Sequence, residues 1–267
     1  MKILFLGDVM GRSGRDAIAT HLPALKDKLN PDFVIVNVDN TSSGRGVTQK
    51  NAKEILALGV DCLTGGDHIW DQREMICGVE NIKELVRPAN LPSQTPGRGH
   101  QSFDVSGQKI IVLHLCGNVF MKHHFDSPFD YVEKFLSSYK VNMNTHIFID
   151  FHAEATSEKM GMAHFVDGRV SAVVGSHTHV PTADAQILDG GTAFQTDAGM
   201  CGDYNSIIGV KPEAPLHNFT RKVAKDRMSP ADGEGTVCGV MIETDNNTGL
   251  AKSIHPIRVG GRLHSTA

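Results

Sequence analysis

The stretch VVGSHTHVPTAD (residues 173–184) closes an apolar run with Gly175-Ser176 and then places two imidazoles, His177 and His179, one residue apart. The run itself reads as a buried strand. The same arrangement recurs along the chain. KILFLGD (2–8) stops at Asp8, and DFVIVNVDN (32–40) stops at Asp39-Asn40. VDCLTGGDH (60–68) stops at Asp67-His68, and THIFIDFHA (145–153) stops at His152. Five predicted strands therefore each end in a metal-type or acid–base side chain. In open α/β sheets, ligands gather outside the carboxyl ends of the strands. Strands sharing one sheet would bring these residues together. Singly, each has a plainer reading: Asp8 and Asp67 as helix caps, Asp39-Asn40 as an Asx turn, His152 as a core histidine. Those plainer readings would all have to hold at once.

The intervening segments supply the helices. GRSGRDAIATHLPALKDKLN (11–30) carries Ile18, Leu22 and Leu25 at helical spacing, with a kink expected at Pro23. TQKNAKEILALG (48–59) is a helix closed by Gly59, and ATSEKMGMAHFVDG (155–168) is a third. KIIVLHLCG (109–117) repeats the strand pattern. TVCGVMIETD (236–245) and SIHPIRV (253–259) look like antiparallel strands, expected to form a second sheet packed on the first. Strands alternating with helices give an α/β layered fold, in one domain over 1–267.

The bulk composition excludes several classes. Hydrophobic residues make up 40% of the 267 and charged residues 21%, as in ordinary globular proteins. The net charge is −4 with no basic block, so a stable nucleic-acid complex is not expected. The first apolar run, Ile3 to Leu6, is too short for a signal peptide. No run approaches the roughly 18 apolar residues of a membrane span. Five scattered cysteines form no C-x-x-C pair and suit a reduced, cytoplasmic protein.

Three carboxylates (Asp8, Asp39, Asp67), one amide (Asn40) and three imidazoles (His152, His177, His179) exceed one tetrahedral zinc site. They suit two metal ions sharing a bridging carboxylate, an arrangement fitted to displacement at phosphorus. Oxygen and nitrogen donors without thiolate favour Fe or Mn and admit Zn.

GDVMG, NVDN, GGDHIWD, DFHAEATSEK and GSHTHVPTAD, in that order, resemble the calcineurin-like metallophosphoesterases. RPANLPSQTPGRG (87–99) and TDAGMCGDYNSIIGV (196–210) bring the resemblance closer to the YmdB subfamily of bacterial cyclic-nucleotide phosphodiesterases. The resemblance implies a four-layer α/β sandwich, two packed mixed sheets flanked by helices, with a dinuclear centre. It implies that Asp8, Asn40 and His179 hold one metal, that Asp67, His152 and His177 hold the other, and that Asp39 bridges them. It makes His68 the proton donor. Two positions depart from the subfamily, which usually has Glu at Asp39 and Asn at Asp67. Asp39 is one methylene shorter. Asp67 adds a negative charge, which tightens metal binding and weakens the metals as Lewis acids.

Ser176 and Thr178 are small enough for the histidine loop to approach closely. His123 and His124 read as loop residues, and His114 and His164 as packing residues. Trp70 is either a pocket wall or helix-to-sheet packing. Glu154 is either a partner orienting a ligand or a helix-start charge. The activity expected is phosphodiester hydrolysis, with 2′,3′- or 3′,5′-cyclic nucleotides implied by the resemblance alone. A phosphomonoesterase of the same fold would need a cation for a dianion, with Arg12 and Arg15 the visible candidates. A metal-containing nucleotide sensor is the non-enzymatic reading, against which the proton donor His68 argues. The expected partners are a small-molecule phosphoester and further copies of the chain in a homo-oligomer.

Overall fold

The structure is a computed structural model and describes residues 1–223 and 227–266. In chain order the strands begin with β1 (Lys2–Leu6), β2 (Phe33–Asn37), β3 (Cys62–Thr64) and β4 (Leu85–Val86). β5 (His100–Val105), β6 (Gln108–Cys116), β7 (Thr145–His152), β8 (Ala172–Ser176), β9 (Gln186–Ile187) and β10 (Ala193–Gln195) follow. β11 (Val237–Thr244) and β12 (Ala251–Val259) come last. The helices are α1 (Gly11–Leu29), α2 (Gln49–Leu56), α3 (Met75–Gly78), α4 (Pro128–Ser138), α5 (Thr156–Phe165) and α6 (Glu213–Arg221). α1 continues through Pro23 without ending there. Among the described residues no helix is long and apolar enough to cross a membrane.

Two six-stranded mixed sheets result, in the orders β12-β11-β1-β2-β3-β4 and β5-β6-β7-β8-β10-β9. This corrects two expectations. The late strands do not make the second sheet: β11 pairs antiparallel with β1, and β12 extends that first sheet. The five functional strand ends also do not share a sheet. β1, β2 and β3 lie in one, and β7 and β8 lie in the other. The physical reason is the same for both: short-range patterning marks a strand but not its non-local partner.

Period-two alternation divides each strand between two cores. In β1, Leu4 and Leu6 face α1 and α2, while Ile3 and Phe5 face the other sheet. In β7, Ile147, Ile149 and Phe151 face α4 and α5, while Phe148 packs on Phe5 with ring centroids 5.2 Å apart. Helix, sheet, sheet and helix are thus four layers around three cores. The layer between the sheets changes character along the strands. It is apolar at Phe33, Ile35, Cys62, Phe148, Ala172 and Val174. Its last buried positions toward the carboxyl ends are Asn37, Thr64, His114, Asp150, His152 and Ser176. This polar end of the sandwich is where the strand-end residues meet.

Phe148 is fully buried at the junction of the two sheets. Phe148→Ala should lower the free energy of unfolding by about 3–5 kcal/mol in urea titrations. A loss under about 1 kcal/mol would show that the sheets are held together elsewhere.

Candidate active site

The seven donor residues and His68 come to one end of the sandwich from both sheets. Donor atoms of Asp67, His152 and His177 lie within 4.8 Å of one another, and so do those of Asp39, Asp67 and His68. Asn40 Oδ1 lies 3.1 Å from His179 Nε2. Asp8 Oδ1 lies 3.6 Å from His152 Nδ1. Gly66 allows the approach, because a Cβ there would strike the Asp39 carboxyl and come within 2.7 Å of His152 Cε1. Gly7 likewise lets the turn bearing Asp8 pass under the Gly199 carbonyl. His177 and His179 both adopt positive φ, 96° and 67°, a strained conformation for non-glycine residues of the kind that clusters at functional sites.

Hydrogen bonds fix which ring atoms face inward. Ser176 Oγ donates to Asp150 Oδ1 at 2.6 Å, so toward His152 Nδ1, 3.0 Å away, it can only accept. His152 therefore carries its proton on Nδ1 and presents the Nε2 lone pair. That lone pair faces Asp67 Oδ1 at 3.1 Å, His177 Nδ1 at 3.1 Å and Asp39 Oδ2 at 3.5 Å. His177 Nε2 lies 3.3 Å from Glu154 Oε2, which assigns its proton there and leaves Nδ1 facing inward. His179 Nδ1 donates to the Ile208 carbonyl at 2.7 Å, leaving Nε2 as an acceptor opposite Asn40 Oδ1. Asn40 Nδ2 donates to the Gly44 carbonyl, which turns the amide oxygen toward His179. In these tautomers lone pairs face lone pairs between His152 Nε2 and Asp39 Oδ2 and between His179 Nε2 and Asn40 Oδ1.

The carboxylates show the same deficit. Among the described residues, Asp8 Oδ1 and Asp39 Oδ2 are buried without a hydrogen-bond partner. Burial, with His152 only partly offsetting it, pushes Asp8 up to about 6. Burial and the neighbouring Asp67 and Asp8 charges raise Asp39 well above the carboxylate range. Burial also opposes the charge on Asp67, but His152 and His177 outweigh it and hold that carboxyl low; burial likewise opposes the charge on His177, but Asp67 outweighs it and raises that imidazole. Burial lowers His152 and His179, keeping both imidazoles neutral. Orphaned carboxylate oxygens beside neutral imidazole lone pairs fit a site for metal cations.

His68 lines the cleft beside this cluster. Its backbone N–H donates to Asp39 Oδ1 at 3.0 Å, and its Nδ1 lies 3.0 Å from Asp71 Oδ2. The cleft, about 310 Å³, is also lined by the apolar residues Met10, Ile208, Val210, Met228 and Pro230. Arg45 lines it as well, 3.8 Å from Asp71.

Sequence reasoning missed several of these parts. Among the described residues, Arg45, not Arg12 or Arg15, is the cation at the cleft. Arg15 donates to the Thr41 carbonyl, and Arg12 pairs with Asp16 on an exposed surface. Asp71 stands in GGDHIWD, three residues after His68, and that spacing was the signal for it. His114 is buried as expected, but 3.2 Å from Asp150 rather than in apolar packing. His164 is exposed, not packed. Trp70 packs on the helix-side core, and Glu154 partners His177. His123 and His124 lie on an exposed loop. The signal for Asn37 and Ser176 was a polar residue at the last inward position of an apolar strand, and for Asp150 a carboxylate at the inward position just before His152.

The chain matches the YmdB-like protein family over residues 4–257. It belongs to that family. A relative of this YmdB-like chain, the 2′,3′-cyclic-nucleotide 2′-phosphodiesterase of Bacillus subtilis (strain 168), is 41% identical over 259 residues, covering 97% of each chain. A crystal structure of a Thermus thermophilus protein, described as hypothetical, superposes with a TM-score of 0.91. It is 36% identical and covers 98% of this chain and 100% of its own. The crystal structure of a novel phosphatase of Mycoplasma pneumoniae also gives 0.91, at 35% identity, covering 97% and 93%. The two packed mixed sheets of the YmdB-like chain are the calcineurin-like metallophosphoesterase fold.

A carboxyl whose folded pKa is raised stabilises the fold at low pH and loses that contribution as pH rises through the raised value. Treated with a chelator, the protein should lose melting temperature from about pH 4, the ordinary carboxylate value, up to about 6 through Asp8, with a further loss through Asp39 that starts from the same pH. Asp39→Asn should make the fall shallower, since an amide cannot ionise. Parallel melting curves for the two chelator-treated proteins across this range would show that Asp39 carries no such strain.

Proposed function

We propose that this phosphoester hydrolase is a dinuclear metal-dependent phosphodiesterase of small cyclic nucleotides, 2′,3′-cyclic nucleotides foremost. The observation that carries the proposal is the set of lone pairs and orphaned carboxylate oxygens facing one another at the polar end of the sandwich. The substrate class is supported by the name of the 41%-identical Bacillus subtilis relative. In this reading Asp8, Asn40 and His179 would hold one metal, Asp67, His152 and His177 would hold the other, and Asp39 would serve both. Fe or Mn suits these donors, with Zn admitted. Two cations held there would supply charge neutralisation at the phosphoryl oxygens and activation of a water.

The chain's own residues do the rest. Asp150 and Ser176 keep the His152 lone pair aimed inward, and Glu154 and the Ile208 carbonyl do the same for His177 and His179. Asp71 Oδ2 accepts a hydrogen bond from the Nδ1–H of His68 and steadies the ring when it is protonated. Nε2 is then left to donate a proton to the departing ribose oxygen. The apolar wall of Met10, Ile208, Val210, Met228 and Pro230 receives the base by contact, without reading its edge. Arg45 at the cleft favours a second reading, phosphomonoester hydrolysis, since a guanidinium suits a terminal phosphate dianion.

Protein saturated with Mn²⁺ should hold close to two metal equivalents by elemental analysis and turn over 2′,3′-cyclic AMP. A ceiling of one equivalent would exclude the dinuclear site. Turnover of a nucleoside monophosphate without turnover of the cyclic nucleotide would favour the second reading.

A ribose alkoxide leaves poorly without a proton, whereas p-nitrophenolate leaves readily. General acid catalysis contributes about 10²–10⁴-fold. His68→Ala should lose about that factor in kcat on 2′,3′-cyclic AMP, keep both metals, and lose much less on a p-nitrophenyl phosphodiester. Equal losses on both substrates would remove His68 from the proton-donor role.

A further inference from the structure

The turn His177-Thr178-His179 needs an external restraint, because both histidines hold positive φ on non-glycine backbone. That restraint lies in the segment 196–210. Asp197 is fully buried, and so is Lys159, whose Nζ donates to Asp197 Oδ2 at 2.7 Å. The same oxygen accepts the Thr178 backbone N–H at 3.1 Å and the Thr178 hydroxyl at 2.7 Å. Asp197 Oδ1 accepts the Gly199 N–H at 2.8 Å. Four donors therefore converge on one buried carboxylate, and two of them belong to the residue between the histidines. Beyond Asp197, the His179 carbonyl accepts from Met200 N–H at 3.1 Å and from the Tyr204 hydroxyl at 3.0 Å. Cys201 N–H donates to the Asp8 carbonyl at 2.8 Å.

We infer that Asp197, held in place by Lys159, is a positioning residue. It grips Thr178 and thereby sets the two imidazoles of His177 and His179 for the metals. The inference rests on the reading of those histidines as metal-holding groups. A buried ion pair is weak evidence for stability, since removing both charges from water costs about what their attraction returns. Here the pair lies behind a strained turn that carries two functional side chains, and it touches no bulk solvent. The Lys159 ammonium, the Thr178 N–H and hydroxyl and the Gly199 N–H between them occupy both oxygens of this carboxyl, so its orientation, and with it that of Thr178, is fixed. Thr178 is thus present for its hydroxyl as well as for its size.

The test uses the full-length protein in four variants: Thr178→Val, Thr178→Ser, Asp197→Asn, and Ile149→Val as a stability control in the outer core. Mn²⁺ affinity is measured by calorimetry. Amide exchange over residues 172–182 is measured on chelator-treated protein by mass spectrometry. Loss of a group that orients metal-holding side chains typically weakens affinity about 10–100-fold. Thr178→Val and Asp197→Asn should fall in that range and exchange faster. Thr178→Ser, which keeps the hydroxyl, should bind Mn²⁺ like the parent. Ile149→Val should melt earlier without weakening Mn²⁺ binding. If Asp197→Asn does not fold, Thr178→Val decides, since it leaves the ion pair intact. Folded Thr178→Val with parental affinity and exchange would overturn the inference. If the parent itself bound no Mn²⁺, the metal reading of the site would fall instead. Exchange at the turn would then still decide whether Asp197 holds it.

Discussion

Three aspartates at the end of the sandwich, Asp8, Asp39 and Asp67, lie out of water with no lysine or arginine paired to them among the described residues. The contrast with a fourth shows what this means. Asp150 is equally buried, yet Asn37 Nδ2, the Thr64 hydroxyl and the Ser176 hydroxyl all donate to it, and a ring nitrogen of His114 lies 3.2 Å away. Burial opposes its charge, but His114, His152 and Ser176 outweigh it and hold it down at about 2. Asp8 and Asp39 have burial without such donors, and their carboxyls rise. A buried carboxylate that is satisfied is structural. One that keeps an orphaned oxygen is waiting for charge from outside the chain. The metallophosphoesterase reading depends on this difference.

The architecture explains how such a cluster can exist. Each sheet presents an apolar inner face that turns polar only at its last residues, so the two sheets pack tightly through Phe5 and Phe148 and then part around charge. The strand ends of both sheets lie at the same edge. Residues far apart in the chain, such as Asn37 and Asp150, are therefore hydrogen-bond partners at 2.9 Å. The Asp150–Ser176 pair lies directly behind His152, so the network that satisfies the sandwich interior also sets the tautomer of a functional imidazole.

The candidate donors were legible because each follows an apolar run, where a charged or imidazole side chain has no reason to stand unless something meets it. Their geometry was less so. His177 and His179 are neighbours in the sequence pattern, but the directions their rings take depend on positive φ at both residues, which no residue preference signals. Asp150 and Asn37 read as ordinary polar residues within strands, and their role appears only when the two sheets are apposed. Arg45 sits on a loop between β2 and α2, with nothing in its local sequence to place it at the cleft. The sheet assignment of β11 and β12 failed for a related reason: pairing with β1 joins the two ends of the chain, and strand periodicity carries no information on that distance.

Anomalous diffraction from crystals of protein purified without chelator or added metal tests the central claim most directly. Two anomalous peaks should appear at the polar end of the sandwich. Both should be bound by Asp39, one beside Asn40 and His179 and the other beside His152 and His177. A single peak, or two peaks of which neither contacts Asp39, would contradict the account.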